Sequence, residues 1–320
     1  MWVWILFIAV VIVFLALDLG VFHKKEHVIR SKEAAIWTTV WVSIALGFSG
    51  VIYWLFSNGL VENPTGLTPN NAVLKYVTGY LIELSLSIDN VFVIAVIFAA
   101  FNIPPLYQHR VLFWGILGAI VFRGLMIVFG VALINKFEWI IYVFGIFLLW
   151  TAYKMLKSDD TDFDPKSSWI FRQIKKLYPI TNTLYGNSFF VNRMGITAAT
   201  PLFVALIIIE LTDVLFALDS IPAILAITAD PFIVFSSNIL AILGLRSMYF
   251  LVSRMLEKFR YINYSLVVIL AFVGLKMLFS HQIEIPEWVS LTVISVALIA
   301  GIVASLAIPE KEHELPVSGE

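Results

Sequence analysis

Nine apolar runs follow one another along the chain, each near the roughly 20 residues that a helix rising 1.5 Å per residue needs to cross a hydrocarbon layer about 30 Å thick. They cover roughly residues 2 to 22, 34 to 57, 72 to 101, 108 to 134, 138 to 156, 196 to 228, 232 to 257, 261 to 280 and 287 to 308. With 60% of its 320 residues hydrophobic and a mean hydropathy of +0.93, the chain carries more apolar surface than a water-soluble domain of this length could bury. The expected fold class is therefore all-α: a polytopic membrane protein of about nine transmembrane helices, with residues 1–320 forming a single transmembrane domain. The first run lacks the basic leading segment and small-residue cleavage site of a signal peptide, so it is read as an uncleaved span.

Charge narrows the partners. A formal net charge of -1 without a basic cluster argues against nucleic acid. The absence of cysteine removes disulfides, thiolate metal sites and iron–sulfur clusters. Lys and Arg alternate by loop. Lys24, Lys25, Arg30 and Lys32 follow the first run, and Lys157, Lys166, Arg172, Lys175, Lys176 and Arg193 lie in the long loop at about 157–195. Arg254, Lys258 and Arg260 join the seventh run to the eighth, whereas 58–71 and 228–231 have neither residue and 134–138 has only Lys136. The positive-inside rule then puts the N-terminus outside and the C-terminus in the cytoplasm of a bacterial inner membrane.

The chain also repeats itself. Aligning Asp89 with Asp219 sets Glu83 opposite Asp213, and in the following spans GILGAIVFR ending at Arg123 runs beside NILAILGLR ending at Arg246. The next pair ends in KMLKS from Lys154 and KMLFS from Lys276. Residues of about 72–158 and about 196–280 thus correspond. An offset of three spans makes the two units antiparallel, the inverted-repeat plan of many secondary transporters, whose sites lie near the midplane at the repeat interface.

Five acids fall well inside the spans: Glu83 and Asp89 in the third, Glu210, Asp213 and Asp219 in the sixth. Each costs about 2.5 to 3.5 kcal/mol at a helix centre, a cost that structure alone does not require. Arg123 and Arg246 are the obvious ion-pair partners. Three negative charges remain, which a divalent cation with one or more protons would neutralise. Glu210 and Asp213 share a helical face, but steps of six residues put Glu83 and Asp89, and likewise Asp213 and Asp219, about 120° apart. Pro222 should kink or open the helix beside Asp219 by removing the bond to the Leu218 carbonyl, and Ser85 and Ser87 should bend the third span more mildly.

The five histidines (His23, His27, His109, His281 and His313) stand in loops or at span ends, so the membrane site offers only oxygen ligands. Carboxylates, freed carbonyls, and Asn90 and Ser220 beside the paired aspartates suit Mn²⁺, Ca²⁺ or Mg²⁺. Asp18, near the end of the first run, is either a gate residue or an interfacial anchor. The acidic stretch 159–164 resembles the opening of a calcium loop, but Pro165 stands where that loop needs Gly, so it reads as a solvated loop. Residues 167–178 form a basic amphipathic stretch suited to the cytoplasmic leaflet, and the last eleven residues read as a disordered tail.

The segments GYLIELSLSIDNVF (79–92), ELTDVLFALDSIPA (210–223), TADPFIV (228–234) and SNILAILGLRSMYFL (237–251) closely resemble the TerC/Alx family of bacterial integral membrane proteins, grouped with the LysE-like exporters. The family was named for tellurium resistance, and its Alx-type members are linked to manganese export. The resemblance implies Mn²⁺ efflux, with Glu83, Asp89, Glu210, Asp213 and Asp219 as functional acids and Mn²⁺ as transported ion rather than cofactor. The chain is then not an enzyme, and protons are the expected counter-ion. Two other readings stand beside it. A membrane scaffold assisting metalation or export of secreted proteins would co-purify with secretion components and show no flux alone. An intramembrane hydrolase would use the same acids catalytically, but it lacks a paired-aspartate motif and leaves the repeat unexplained.

Overall fold

The computed structural model describes residues 2–20, 31–63, 66–137, 139–157, 165–166, 169–177, 179–181, 183–193, 196–253, 261–280, 282–283 and 285–307. These residues form ten helices and one β-hairpin: α1 (Trp2–Gly20), α2 (Ser31–Ser57), α3 (Pro69–Ala100), α4 (Pro105–Lys136), α5 (Ile140–Lys157), α6 (Trp169–Leu177), β1 (Phe190–Arg193), β2 (Ile196–Ala199), α7 (Pro201–Leu225), α8 (Pro231–Val252), α9 (Ile262–Leu278) and α10 (Glu287–Ala307). Seven helices are long and apolar enough to cross a membrane, and the apolar stretches Trp2–Leu17 and Ile262–Leu278 are shorter. Each of the nine apolar runs therefore contains one helix, and the molecule is an all-α polytopic membrane protein.

Proline punctuates the bundle. Pro69, Pro105, Pro201 and Pro231 stand in the first turn of α3, α4, α7 and α8, where the missing N–H costs no helical bond. Thr68 caps α3 by accepting from the Asn71 amide at 3.3 Å. Asp230 caps α8 by accepting from the Phe232 and Ile233 amides, each at 3.0 Å.

The expected start of the sixth span at residue 196 is wrong by about a turn. Residues 196–199 are strand β2, paired antiparallel with β1 in the register Phe190 with Ala199 and Arg193 with Ile196. The cause is local. Pro201 fixes the helix start and disfavours helical geometry at Thr200, which is extended at φ -91° and ψ 164°. Ahead of it the backbone satisfies its polar groups in the hairpin, and the Thr200 hydroxyl donates to the Ser188 carbonyl at 2.7 Å. The expected opening at Pro222 also fails: α7 runs unbroken through it to Leu225, and the chain turns only at 226–230. A proline so near the C-terminal end interrupts one bond, and the helix tolerates it.

Helix α8 is almost wholly buried, with α2, α3 and α4 packed against it. Small residues set the close approaches: a Cβ at Gly79 would lie 3.1 Å from the Ser237 hydroxyl, and one at Gly244 3.3 Å from Trp41. At the crossing of α5 with α9 the backbones themselves approach: a Cβ on either Gly145 or Gly274 would sit 3.0 Å from the other's carbonyl oxygen. Helix α1 lies on the outside of this assembly through Trp4 and Phe7, whose rings meet Phe232 at 5.3 and 5.7 Å. The amphipathic helix α6 does not turn its apolar side away from the protein. Phe171 meets Phe101 at 5.8 Å and Ile174 is buried in the same cluster, while Arg172, Lys175 and Lys176 are exposed. The acidic stretch, the loop carrying Arg254, Lys258 and Arg260, and the C-terminal tail fall outside the described residues, as do the side chain of Asp18 and the residues His23, His27, His281 and His313.

Candidate functional site

Three long apolar helices, α3, α4 and α7, bring charge together near their middles. Arg123 of α4 is buried, 2% exposed, and stands between two carboxylates. Its Nη1 donates to Glu83 Oε1 of α3, and its Nη2 and Nε donate to Asp213 Oδ1 and Oδ2 of α7 at 2.7 and 3.1 Å. The two-pronged contact with Asp213 uses the planar fork that makes arginine the strong partner for a carboxylate. The amide nitrogen of Asn90 adds a donor to Asp213 Oδ1 at 2.7 Å, so Asp213 accepts from two helices besides its own.

The helical period explains which residues join this centre. Asn90 is seven residues beyond Glu83, two full turns, and therefore returns to the same face; Ser220 stands in that relation to Asp213. Asn90 and Ser220 are both 1% exposed. Asp89 and Asp219, one residue short of that period, are turned off the face and are less buried. Asp219 meets α5 instead, where the Thr151 hydroxyl donates to its Oδ1 at 2.9 Å. Glu210, one turn before Asp213, lies against α4 in the space left by Gly118, since a Cβ there would collide with the Glu210 carboxylate. Arg246, which the sequence alignment sets beside Arg123, is buried in α8 at 6% exposure.

The structure thus brings together Glu83, Asn90, Asp213 and Arg123, and does not bring all five acids into one cradle. Among the described residues no group of three or more His, Cys, Asp or Glu side chains is arranged to hold a metal ion. The guanidinium occupies the middle of the charged group instead. Four buried oxygens on α3 and α7 still find no hydrogen-bond partner among the described residues: Glu83 Oε2, Asn90 Oδ1, Glu210 Oε2 and Ser220 Oγ. Unsatisfied acceptors of this kind are rare and costly in apolar surroundings. Ser85 bonds back to the Leu81 carbonyl at 2.7 Å as expected, but Ser87 turns to the Glu83 carboxylate at 3.5 Å.

Sequence reasoning missed Thr151 and Gly118. A lone threonine in an apolar span gives no signal, and a glycine that makes room for a carboxylate is indistinguishable from one that makes room for a neighbouring helix.

Comparison with known proteins agrees with a bundle of long apolar helices. The family described as integral membrane protein TerC matches residues 68–313. The chain is 50% identical over 315 residues to a membrane protein of Myxococcus xanthus designated STKORF319, covering 98% of this chain and 94% of that one. It is 44% identical over 289 residues to the Alx protein of Escherichia coli (strain K12), whose name casts it as a candidate membrane-bound redox modulator; the match covers 90% of this chain and 89% of Alx. A membrane protein of Rickettsia prowazekii, RP786, is 42% identical over 303 residues, 95% of this chain and 98% of its own length. No solved structure matches the chain. Both the family match and the extent of these identities place the chain in the integral membrane protein TerC family.

Proposed function

We propose that the chain exports a hard divalent cation, Mn²⁺ as the resemblance implies, from the cytoplasm through the centre formed by Glu83, Asn90, Glu210 and Asp213. One observation supports this reading above the others: four buried oxygens without hydrogen-bond partners among the described residues lie on α3 and α7, the helices that also hold Arg123 between two carboxylates. When ionised, Glu83, Asp213 and Glu210 against one guanidinium leave two negative charges, the charge of one divalent ion. Arg123 then acts as a tethered cation that neutralises Glu83 and Asp213 until a metal ion takes its place. Carboxylate and amide oxygens are the donors that Mn²⁺, Mg²⁺ and Ca²⁺ accept.

The packing fits a two-unit transporter. Helix α3 packs on α8 as α7 packs on α4, α3 meets α7, and α5 meets α9. This exchange of partners is what a two-fold relation between the segments 72–158 and 196–280 requires, and alternating access would follow from motion of one unit against the other. In this reading Asp219, held by Thr151, is a second station along α7, and proton exchange at the same acids drives the cycle. The redox role carried in the name of the Escherichia coli relative finds no thiol in this chain to act through, since the sequence contains no cysteine.

Proteoliposomes containing only this protein test the reading. Mn²⁺ should cross in preference to Zn²⁺, and Asp213→Asn or Glu83→Gln should reduce the flux at least tenfold while the protein still inserts. Flux of the unchanged protein that is indistinguishable from empty liposomes would sink the proposal.

A further inference from the structure

A second charged network lies at the end of the bundle where α3 begins, well away from Arg123. The Lys75 ammonium of α3 contacts Glu287 Oε1 of α10 at 2.9 Å and donates to the Ile227 carbonyl, just past α7, at 2.6 Å. The other oxygen of Glu287 faces the Lys276 ammonium of α9 at 3.5 Å, and Lys276 also donates to the Ser290 hydroxyl of α10 at 3.0 Å. Three partly buried side chains, 14%, 19% and 11% exposed for Lys75, Glu287 and Lys276, thereby join α3, the turn after α7, α9 and α10.

Beside this network is a cavity of about 520 Å³, lined among others by Asn71, Leu225, Ala226, Lys276, Ser280 and Glu287. Its inner boundary is apolar. Leu225 and Ile221 of α7 and Met277 of α9 belong to one buried cluster, and Leu225 fits so closely on α4 that a Cβ at Gly130 would lie 2.9 Å from it. Asp219 is only six residues before Leu225 on the same helix, about 9 Å along its axis. A short apolar plug on α7 therefore lies between the cavity and Asp219.

We propose that the Lys75–Glu287–Lys276 network is the latch of a gate at this end of the molecule, holding α9 and α10 against α3 and so keeping the cavity apart from Asp219. The proposal rests on the transport reading for its purpose but not for its test. One carboxylate answers two ammonium groups here. Removing Glu287 leaves like charges that repel across the seam, while removing Lys75 frees α10 from both α3 and the turn at Ile227.

The chain has no cysteine, so a single reporter can be placed without background. Ile221→Cys puts a thiol in the plug, at a position 3% exposed, and Ala226→Cys puts one in the cavity wall as a control. Labelling by a membrane-impermeant cationic methanethiosulfonate is then timed on purified protein in liposomes. With the latch intact, the Ile221→Cys reporter should react slowly. Measured as a ratio to the Ala226→Cys rate in the same variant, which carries any change in cavity charge, Glu287→Gln or Lys75→Met should speed it about tenfold and the charge-neutral Ser290→Ala about two- to threefold. Rates at Ile221→Cys that stay level in every variant that elutes as a folded species overturn the latch. Faster labelling without cation flux in the unchanged protein keeps the latch and discards the transport reading; flux with level labelling does the reverse.

Discussion

Arg123 shows how much a single buried side chain can decide. It is 2% exposed and bonded to acids on two other helices, so its loss leaves Glu83 and Asp213 facing each other in apolar surroundings. Breaking a buried pair from one side costs about 3–5 kcal/mol. Arg123→Ala should therefore lower the thermal midpoint in detergent sharply or prevent accumulation in the membrane. Adding Glu83→Gln and Asp213→Asn to that variant should restore much of the stability, because the uncompensated charges go with it. Gly118 gives a second test. Gly118→Ala drives a methyl into the Glu210 carboxylate, and overpacking of this kind costs about 1–3 kcal/mol. Combining it with Glu210→Ala should recover the loss, a coupling that a double-mutant cycle in thermal unfolding reads directly. The five acids were legible in the sequence because a charge among apolar residues has few explanations. Their division was not. Pairing Asp89 with Asp219 by alignment hid the fact that two turns of helix carry Asn90 and Ser220, not the aspartates, back to the faces of Glu83 and Asp213.

At the level of elements, the helices were visible as apolar runs and their starts as prolines, while the hairpin was invisible because Ile196–Ala199 is as apolar as the helix that follows it. The same limit applies to helix contacts. Nothing in the sequence distinguishes Gly145 and Gly274, which let α5 and α9 touch backbone to backbone, from Gly47 and Gly50, where a Cβ would meet nothing within 4 Å. Gly145→Val or Gly274→Val should force the helices apart and destabilise the protein by about 1–3 kcal/mol, whereas Gly47→Ala should leave thermal stability unchanged or slightly raise it through helix propensity. Parallel melts of the three variants decide the matter.

For the molecule as a whole, the alternation of Lys and Arg along the loops predicts an orientation, and the bundle gives that expectation a concrete test. The segment leading into the hairpin and the start of α4 share one end through Arg110, which donates to the Asn187 carbonyl and lies 4.6 Å from the Phe189 ring centroid, and α6 joins them through Phe171 against Phe101. The segment 58–63 and the start of α3 share the other. Cysteines at Asn58 and at Lys175, placed singly, should react with an impermeant maleimide from opposite sides of intact spheroplasts: Asn58→Cys from outside, Lys175→Cys only after lysis. The reverse pattern would invert the orientation expected from the loops.

The guanidinium of Arg123 has a mechanical consequence as well. It belongs to α4 yet grips α3 and α7 near their midpoints, so those three helices cannot part there without stranding charge in hydrocarbon. As long as Arg123 keeps both acids, a shape change of the molecule pivots about this point, like a beam on a fulcrum. Amplitude then grows with distance: a tilt of about 10° moves a helix end 15 residues away, about 22 Å, by about 4 Å. The middle stays nearly still while each rim swings by more than the width of a bare metal ion.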